Sequence, residues 1–433
     1  MNEPRLTYRL LAGTLNRLLP LARPFSAKLA RGDRERRAAV DRWRHWGREH
    51  RDPSRPLVWL HAPSVGEGLQ ARSVIDVLKA RHPDWQVAAT FFSPSAESLV
   101  PEHPADRIDY LPYDTTHNAS AMVAALRPTA LVFTKLDVWP GYATRVRGAG
   151  VPVGLVAGTV SPVSGRRHPV ARWLASAGYR SLDRIGAIGP ADATALLSLG
   201  AQADRVSVTG DPRFDSAWAR AAGIPPDWPF RRLTAGAPTL VAGSTWPADE
   251  AMLLDAFARL WPTRPDCRLV LVPHEPHERH LAALEAEAAL IGLDPVRLSR
   301  LGAEVPRLVI VDRVGLLAGL YAGAAVSYVG GGFGRRGLHS VLEPAACGVP
   351  VLVGPRWQSS QEAGHLIEAG GAAVVAGTGT LTEAWAAALA GNEGRSMGQR
   401  ARELVHAGLG GADRNADLIE ALIDRPNRGI FPP

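Results

Sequence analysis

Short apolar, β-branched runs alternate with helix-length connections along almost the whole chain, and that alternation leaves few folds open. The runs fall at 57–61, 87–92, 108–111, 130–133, 151–156, 185–188 and 206–208, then at 240–242, 269–272, 308–311, 325–329 and 349–353. Connections such as 66–81 and 117–126 are long enough to carry the chain back over a sheet, as parallel strands require. Strands of this kind belong to a parallel sheet covered on both faces. The pattern lapses over 215–237, a proline- and glycine-rich stretch, and then restarts. At 433 residues the chain exceeds what one core fills, so two domains are expected. The boundaries read as 51–214 for an N-terminal domain, 215–237 for a linker and 238–410 for a C-terminal domain, with a last helical stretch over 413–423 inside a segment, 411–433, that packs back on the first. The fold class is α/β, with two doubly wound, Rossmann-like sheets facing a central cleft.

Net charge is +7 and the pI about 9.8, which favours an anionic partner. Much of the charge lies in 1–50, where an apolar and basic segment, LTYRLLAGTLNRLLPLARPFSAKLA, is followed by Arg31, Arg34, Arg36, Arg37, Arg42, Arg44 and Arg48. The leucines at 10, 11, 15, 18 and 19 fall near one helical face. The stretch is too short and too charged to span a bilayer, and fits an amphipathic helix lying on an anionic membrane surface or one packed on its own domain. Nucleic acid is disfavoured because no stacking aromatics interleave with the basic residues. Cys267 and Cys347 are far apart in apolar contexts and read as reduced core residues.

The stretch YVGGGFGRRGLHSVLEPAACGVPVLVGP offers one pocket. Gly330, Gly331, Gly332 and Gly334 would let backbone N–H groups wrap a phosphate, and a helix carrying His339 and Glu343 would aim its N-terminus there. Arg335, Arg336 and His339 add positive charge, and Glu343 suits ribose hydroxyls. A plain glycine loop before an ordinary helix is the competing reading. The turn WLHAPSVGEGLQA offers a second site. Ser64 can cap, Gly66 permits a tight backbone, and Glu67 stands at the carboxyl end of a strand, either stabilising a helix N-terminus or acting as a general base. HEPHERH holds three histidines, but its proline and the missing HExxH register argue against a metal, and no metal or cofactor is expected.

HAPSVGEGLQ resembles the HAxSxGE signature of the Kdo (3-deoxy-D-manno-octulosonic acid) transferases. The likeness continues in order through TFFSPSAESL, YLPYDT, KLDVWP, VTGDPRFD, GSTWPADE and VPHEPHER. It implies a GT-B fold and transfer of Kdo from CMP-Kdo to a lipid A precursor in lipopolysaccharide assembly, at the cytoplasmic face of the inner membrane. By that likeness Glu67 is the general base and Asp137 an acidic partner, with Ser64, Gly66 and Lys135 on the acceptor side. Lys135 replaces the first acid of the family's motif. Gly243, Ser244, Thr245, His274, Glu275 and Arg279 fall where the family holds CMP, along with Gly331, Gly332, Gly334, Arg336, His339, Ser340 and Glu343. His274 stands where many members have arginine, and Ser340 where many have asparagine. The donor's carboxylate needs a cation, for which Lys135 and Arg213 are candidates. Two other readings share this architecture: a different nucleotide-sugar glycosyltransferase, and a membrane-peripheral protein that keeps the fold without catalysis.

Overall fold

A computed structural model of the chain describes residues 4–161 and 164–424. The chain divides into two compact units, Met1–Ser216 with Leu409–Pro433 and Ala217–Gly408. The first contains β1 (Leu57–His61), β2 (Gln86–Phe91), β3 (Arg107–Tyr110), β4 (Ala130–Thr134), β5 (Val153–Gly158), β6 (Arg184–Ala187) and β7 (Val206–Val208). These form one sheet in the order β3-β2-β1-β4-β5-β6-β7, every pair parallel. Alternate residues of β1 serve opposite cores: Leu57 and Trp59 join one cluster, Val58 and Leu60 the other. Burial on both faces is why the strands read as continuous apolar runs.

The second unit contains β8 (Thr239–Thr245), β9 (Arg268–Pro273), β10 (Pro295–Arg297), β11 (Leu308–Ile310), β12 (Val326–Val329), β13 (Val351–Val353) and β14 (Ala372–Val374). Their order is β10-β11-β9-β8-β12-β13-β14, again all parallel. Each sheet thus has a point where strand order reverses, between β1 and β4 in one and between β8 and β12 in the other. Loops leaving the carboxyl ends there diverge and leave room for a ligand. The edge strands β10 and β14 have no counterpart among the apolar runs, since three residues reading PVR or AAV carry too little pattern.

Two expectations need correction. Segment 215–237 is not an open linker. It begins inside the helix Pro212–Ala222, and its later part packs into the second unit, where Leu233 is fully buried and Trp228 lies so close to Gly319 that a Cβ there would meet the indole at 2.6 Å. Apolar side chains among the prolines supply burial that the turn residues conceal. Nor is the whole basic run free for a membrane surface, although Arg34, Arg44 and Arg48 are exposed. Arg42 binds the Asp109 carboxylate at 2.7 Å through two nitrogens, Arg37 binds Asp33, and Arg31 pairs with Glu97. Arg36 is buried between the Phe92 and Tyr113 rings. The helix Ala27–Glu49 that carries them is seated on the first core by Trp43 and Trp46. The preceding helix, Leu6–Leu18, does leave Leu6, Leu10, Leu11, Leu15 and Leu18 exposed. No described helix is long and apolar enough to cross a membrane.

The helix Gly411–Ile423 buries Leu418, Ile419 and Leu422 against the first sheet; residues 425–433 lie outside the described residues. Asn415 fixes it there. Its Oδ1 accepts from Ala157 N–H at 3.2 Å and Thr209 Oγ1 at 3.0 Å, and its Nδ2 donates to Gly411 O at 2.7 Å. Removing a fully buried amide with these partners leaves them unsatisfied. Asn415→Ala is expected to lower the stability of the first unit by about 2–4 kcal/mol. Calorimetry of the full chain would show this as an earlier transition, and an unchanged transition would mean the helix is held by its apolar face alone.

Candidate functional site

At the reversal point of the first sheet, the turn after β1 presents Glu67 in the first turn of the helix Val65–Arg81. The turn after β4 presents Lys135, whose φ of +62° is uncommon for a residue with a side chain. Lys135 Nζ lies 2.9 Å from Glu67 Oε1, and Ser64 Oγ donates to Glu67 Oε2. Burial of Glu67 would raise its pKa, but the Lys135 charge and the Ser64 and Lys135 hydrogen bonds outweigh it and hold the carboxyl below its ordinary value. Asp137 is held the other way: burial pushes it up, the Arg166 guanidinium it pairs with opposes this, and the Glu67 charge adds to it. Glu67, Lys135, Asp137 and Arg166 therefore form one charged group. Arg166, in a short turn from Gly165–Arg167, was not singled out from sequence, because an arginine in a loop carries no pattern.

Beneath them His61 is completely buried. Trp139 Nε1 donates to its Nε2 at 3.2 Å, and its Nδ1 lies 3.1 Å from Thr90 Oγ1. Burial lowers its pKa to about 3, so the ring is neutral and structural. Gly66 is not required for a tight backbone, since a Cβ there would meet nothing within 4 Å. Arg213 is tied to Asp211 at 2.7 Å and Lys135 to Glu67, so both cations suggested for a donor carboxylate already have partners.

In the second unit the residues gather around Trp246, which directly follows β8. Its indole Nε1 donates to His339 Nε2 at 3.2 Å, its ring centroid lies 4.8 Å from that of His274, and the Arg336 guanidinium lies 4.2 Å over its face. The His274 and His339 rings are 4.3 Å apart. Burial lowers both pKa values, with Arg336 adding to the effect at His274 and His274 to that at His339, which falls to about 4. Ser244, at φ +54°, sits in a bulge that turns the chain from β8 toward Trp246. Thr245 is buried and donates to Glu250 Oε1 at 2.8 Å, whose other oxygen is 2.7 Å from His280 Nε2. Gly243 leaves room for the Tyr321 hydroxyl.

The glycine loop differs from the phosphate cradle expected. Its N–H groups at Gly331 and Phe333 are held by the chain's own Asp249, fully buried, at 2.9 and 3.4 Å. The same carboxylate accepts from the Tyr328 hydroxyl at 2.8 Å and from Trp246 N–H at 3.0 Å. Gly331, at φ +97°, allows the turn, and a Cβ there would meet Gly337 O at 2.0 Å. Gly332 is pressed against Gly354, whereas Gly334 has open space beside it. No helix carries His339 or Ser340. Both lie in irregular chain, and the helix Leu342–Ala346 starts after them with Pro344 in its first turn, too short to aim a useful dipole. Glu343 is bound to Arg220 at 2.6 Å. Glu275 and Arg279 are exposed, and it is His280, one position on, that supports the site through Glu250. Sequence reasoning missed Trp246, Asp249 and Arg220. The first two lie inside GSTWPADE, where a tryptophan before a helix-starting proline was available as a signal. Among the described residues no group of three or more His, Cys, Asp and Glu side chains is placed to hold a metal. Cys267 and Cys347 are free.

Residues 34–216 match the family model for 3-deoxy-D-manno-octulosonic-acid transferase (kdotransferase). The 3-deoxy-D-manno-octulosonic acid transferase of Bordetella pertussis is 30% identical over 381 residues, covering 84% of this chain and 86% of that protein. The Haemophilus influenzae protein of the same name is 22% identical over 402 residues, covering 90% and 93%. Among solved structures, UDP-GlcNAc 2-epimerase from Neisseria meningitidis superposes with a TM-score of 0.61 at 15% identity, covering 85% of this chain and 99% of that one. A glycosyltransferase from Rickettsia africae does so with a TM-score of 0.57 at 12% identity, covering 86% and 100%. Such identities speak for the fold alone, two parallel-sheet domains of the GT-B class. On sequence, the chain belongs to the 3-deoxy-D-manno-octulosonic acid transferases, a family of glycosyltransferases.

Proposed function

We propose that the protein transfers Kdo from CMP-Kdo to a lipid A precursor of the lipid IVA type, in lipopolysaccharide core assembly, by a metal-independent, inverting displacement in which Glu67 is the general base. The observation that carries this reading is Glu67 itself: a carboxylate at the reversal point of the first sheet, ionised by Lys135 and oriented by Ser64. Each of its oxygens keeps a second lone pair after those bonds, so it can accept the proton of a sugar hydroxyl. As that hydroxyl attacks the ketosidic carbon, the bond to CMP breaks and negative charge grows on the departing phosphate. Arg336, stacked on Trp246, and the neighbouring His339 lie at the reversal point of the second sheet, where they suit that charge. Glu343 serves the ribose hydroxyls, oriented by Arg220. Asp137, with Arg166, keeps the acceptor side polar beside the base.

The acceptor is lipid-anchored, and the leucines exposed along Leu6–Leu18 support peripheral contact with the cytoplasmic face of the inner membrane. Pairing of Arg37 and Arg42 within the protein leaves the exposed leucines and Arg34, Arg44 and Arg48 to make that contact.

Transfer from CMP-Kdo, generated in place, to a tetra-acylated lipid A precursor in detergent tests the reading. The wild type is expected to transfer, and Glu67→Gln to lose about 10²- to 10⁴-fold, the usual contribution of a general base. A variant that retains most of the activity would remove Glu67 from that role.

The Lys135 pairing gives a second, independent expectation. A carboxylate held low in the folded protein stabilises the fold above its ordinary value of 4.5, and that stabilisation disappears as pH falls through the lower folded value. Lys135→Met removes the opposing charge and leaves burial to dominate, so the Glu67 pKa rises and the acidic limb of the kcat/KM profile moves to higher pH. Lys135→Arg keeps the limb near its original position. An acidic limb indifferent to Lys135→Met would show that a different group governs it.

A further inference from the structure

Both units use a tryptophan followed by proline, Trp139-Pro140 and Trp246-Pro247, at the start of the helices Pro140–Gly148 and Pro247–Leu260. Proline at the first helical position leaves the tryptophan before it in extended backbone. From there each indole reaches a histidine on another loop or strand of its own sheet: Trp139 Nε1 to His61 Nε2, and Trp246 Nε1 to His339 Nε2, both at 3.2 Å. An indole N–H can only donate, so each histidine must present a bare Nε2 and carry its proton on Nδ1. The two sites then diverge. His61 is sealed, and its Nδ1–H is spent on Thr90 Oγ1 at 3.1 Å. His339 is only half-buried, and its Nδ1 has no hydrogen-bond partner among the described residues.

We infer that Trp246 is a positioning residue that locks His339 as the neutral Nδ1–H tautomer, a fixed hydrogen-bond donor to an anionic oxygen of the nucleotide. The inference rests on the proposed role of the second unit as the donor site. The surroundings agree with a neutral ring. His274, just after β9, and Arg336 from the loop face the cluster as cationic or potentially cationic groups; of the acidic groups there, Glu275 is exposed and acts on His274, and Asp249 is buried with its oxygens taken by Trp246 N–H, Tyr328 and the loop N–H groups. Protonating His339 would set N–H against N–H at Trp246. The indole meets His339 through its N–H and Arg336 through its face, so it presents a neutral donor and a full positive charge together.

Trp246→Phe keeps an aromatic face beneath Arg336 and removes the N–H together with the five-membered part of the indole. In full-length protein labelled with ¹⁵N-histidine, the wild type should show one ring, assigned by His339→Asn, with Nδ1 protonated and Nε2 bare. In Trp246→Phe that signal should move toward a mixture of tautomers. CMP, used as the probe in calorimetry, should bind about tenfold more weakly to Trp246→Phe, as loss of one oriented hydrogen bond implies. In the His339→Asn background, whatever affinity remains, adding Trp246→Phe should cause no further loss, because there is no tautomer left to fix. An unchanged His339 tautomer, an equal additional loss in the His339→Asn background, or a wild type that does not bind CMP would each overturn the inference. If the wild type binds CMP with these dependences yet transfers no Kdo, the inference stands and the sugar assignment falls.

Discussion

Parallel pairing imposes the constraint from which the rest follows. Strands that run the same way cannot be joined by tight turns, so each connection crosses over a face, and a sheet with helices on both faces must reverse its order once. In the first unit that reversal lies between β1 and β4, in the second between β8 and β12. Glu67, Lys135 and Asp137 leave the first point, and Trp246, His339 and Arg336 leave the second. The cores behind them are apolar on both faces, which leaves these loops as the places where polar side chains can converge without crossing a core.

Charge inside each unit is settled locally. Asp249 shows how: a fully buried carboxylate accepts two loop N–H groups, the tyrosine hydroxyl of Tyr328 and the N–H of Trp246. Burying such a charge is costly unless hydrogen bonds replace its hydration, and here four donors do so. The consequence is a glycine loop whose N–H groups at Gly331 and Phe333 are taken up within the chain. Glu67 is the counterpart in the first unit. Its burial is offset by one lysine and one hydroxyl, leaving it ionised and still able to accept a proton. Lys135 is therefore tied to the charge state of Glu67.

The strand alternation and the place of Glu67 in the turn after β1 were legible in the sequence because periodicity and turn residues carry them. What was not legible depended on partners distant in sequence. Asp33 and Asp109 neutralise arginines that read as a membrane-facing run, and Arg220 occupies a glutamate that read as free. The helix expected to carry His339 failed because Gly337, at φ +88°, and Pro344 confine helical structure to Leu342–Ala346. Trp246 and Asp249 were visible as residue types, but only the packing of β8 against β12 gives them the loop as a partner.

The account stands on direct displacement assisted by one base. Its most direct test is the anomeric configuration of the newly formed ketosidic bond, read by NMR after turnover of CMP-Kdo of known configuration. Inversion, with one CMP released per sugar transferred, is the predicted result. Retention would require a covalent or otherwise two-step path, and would contradict Glu67 acting as the base of a single displacement.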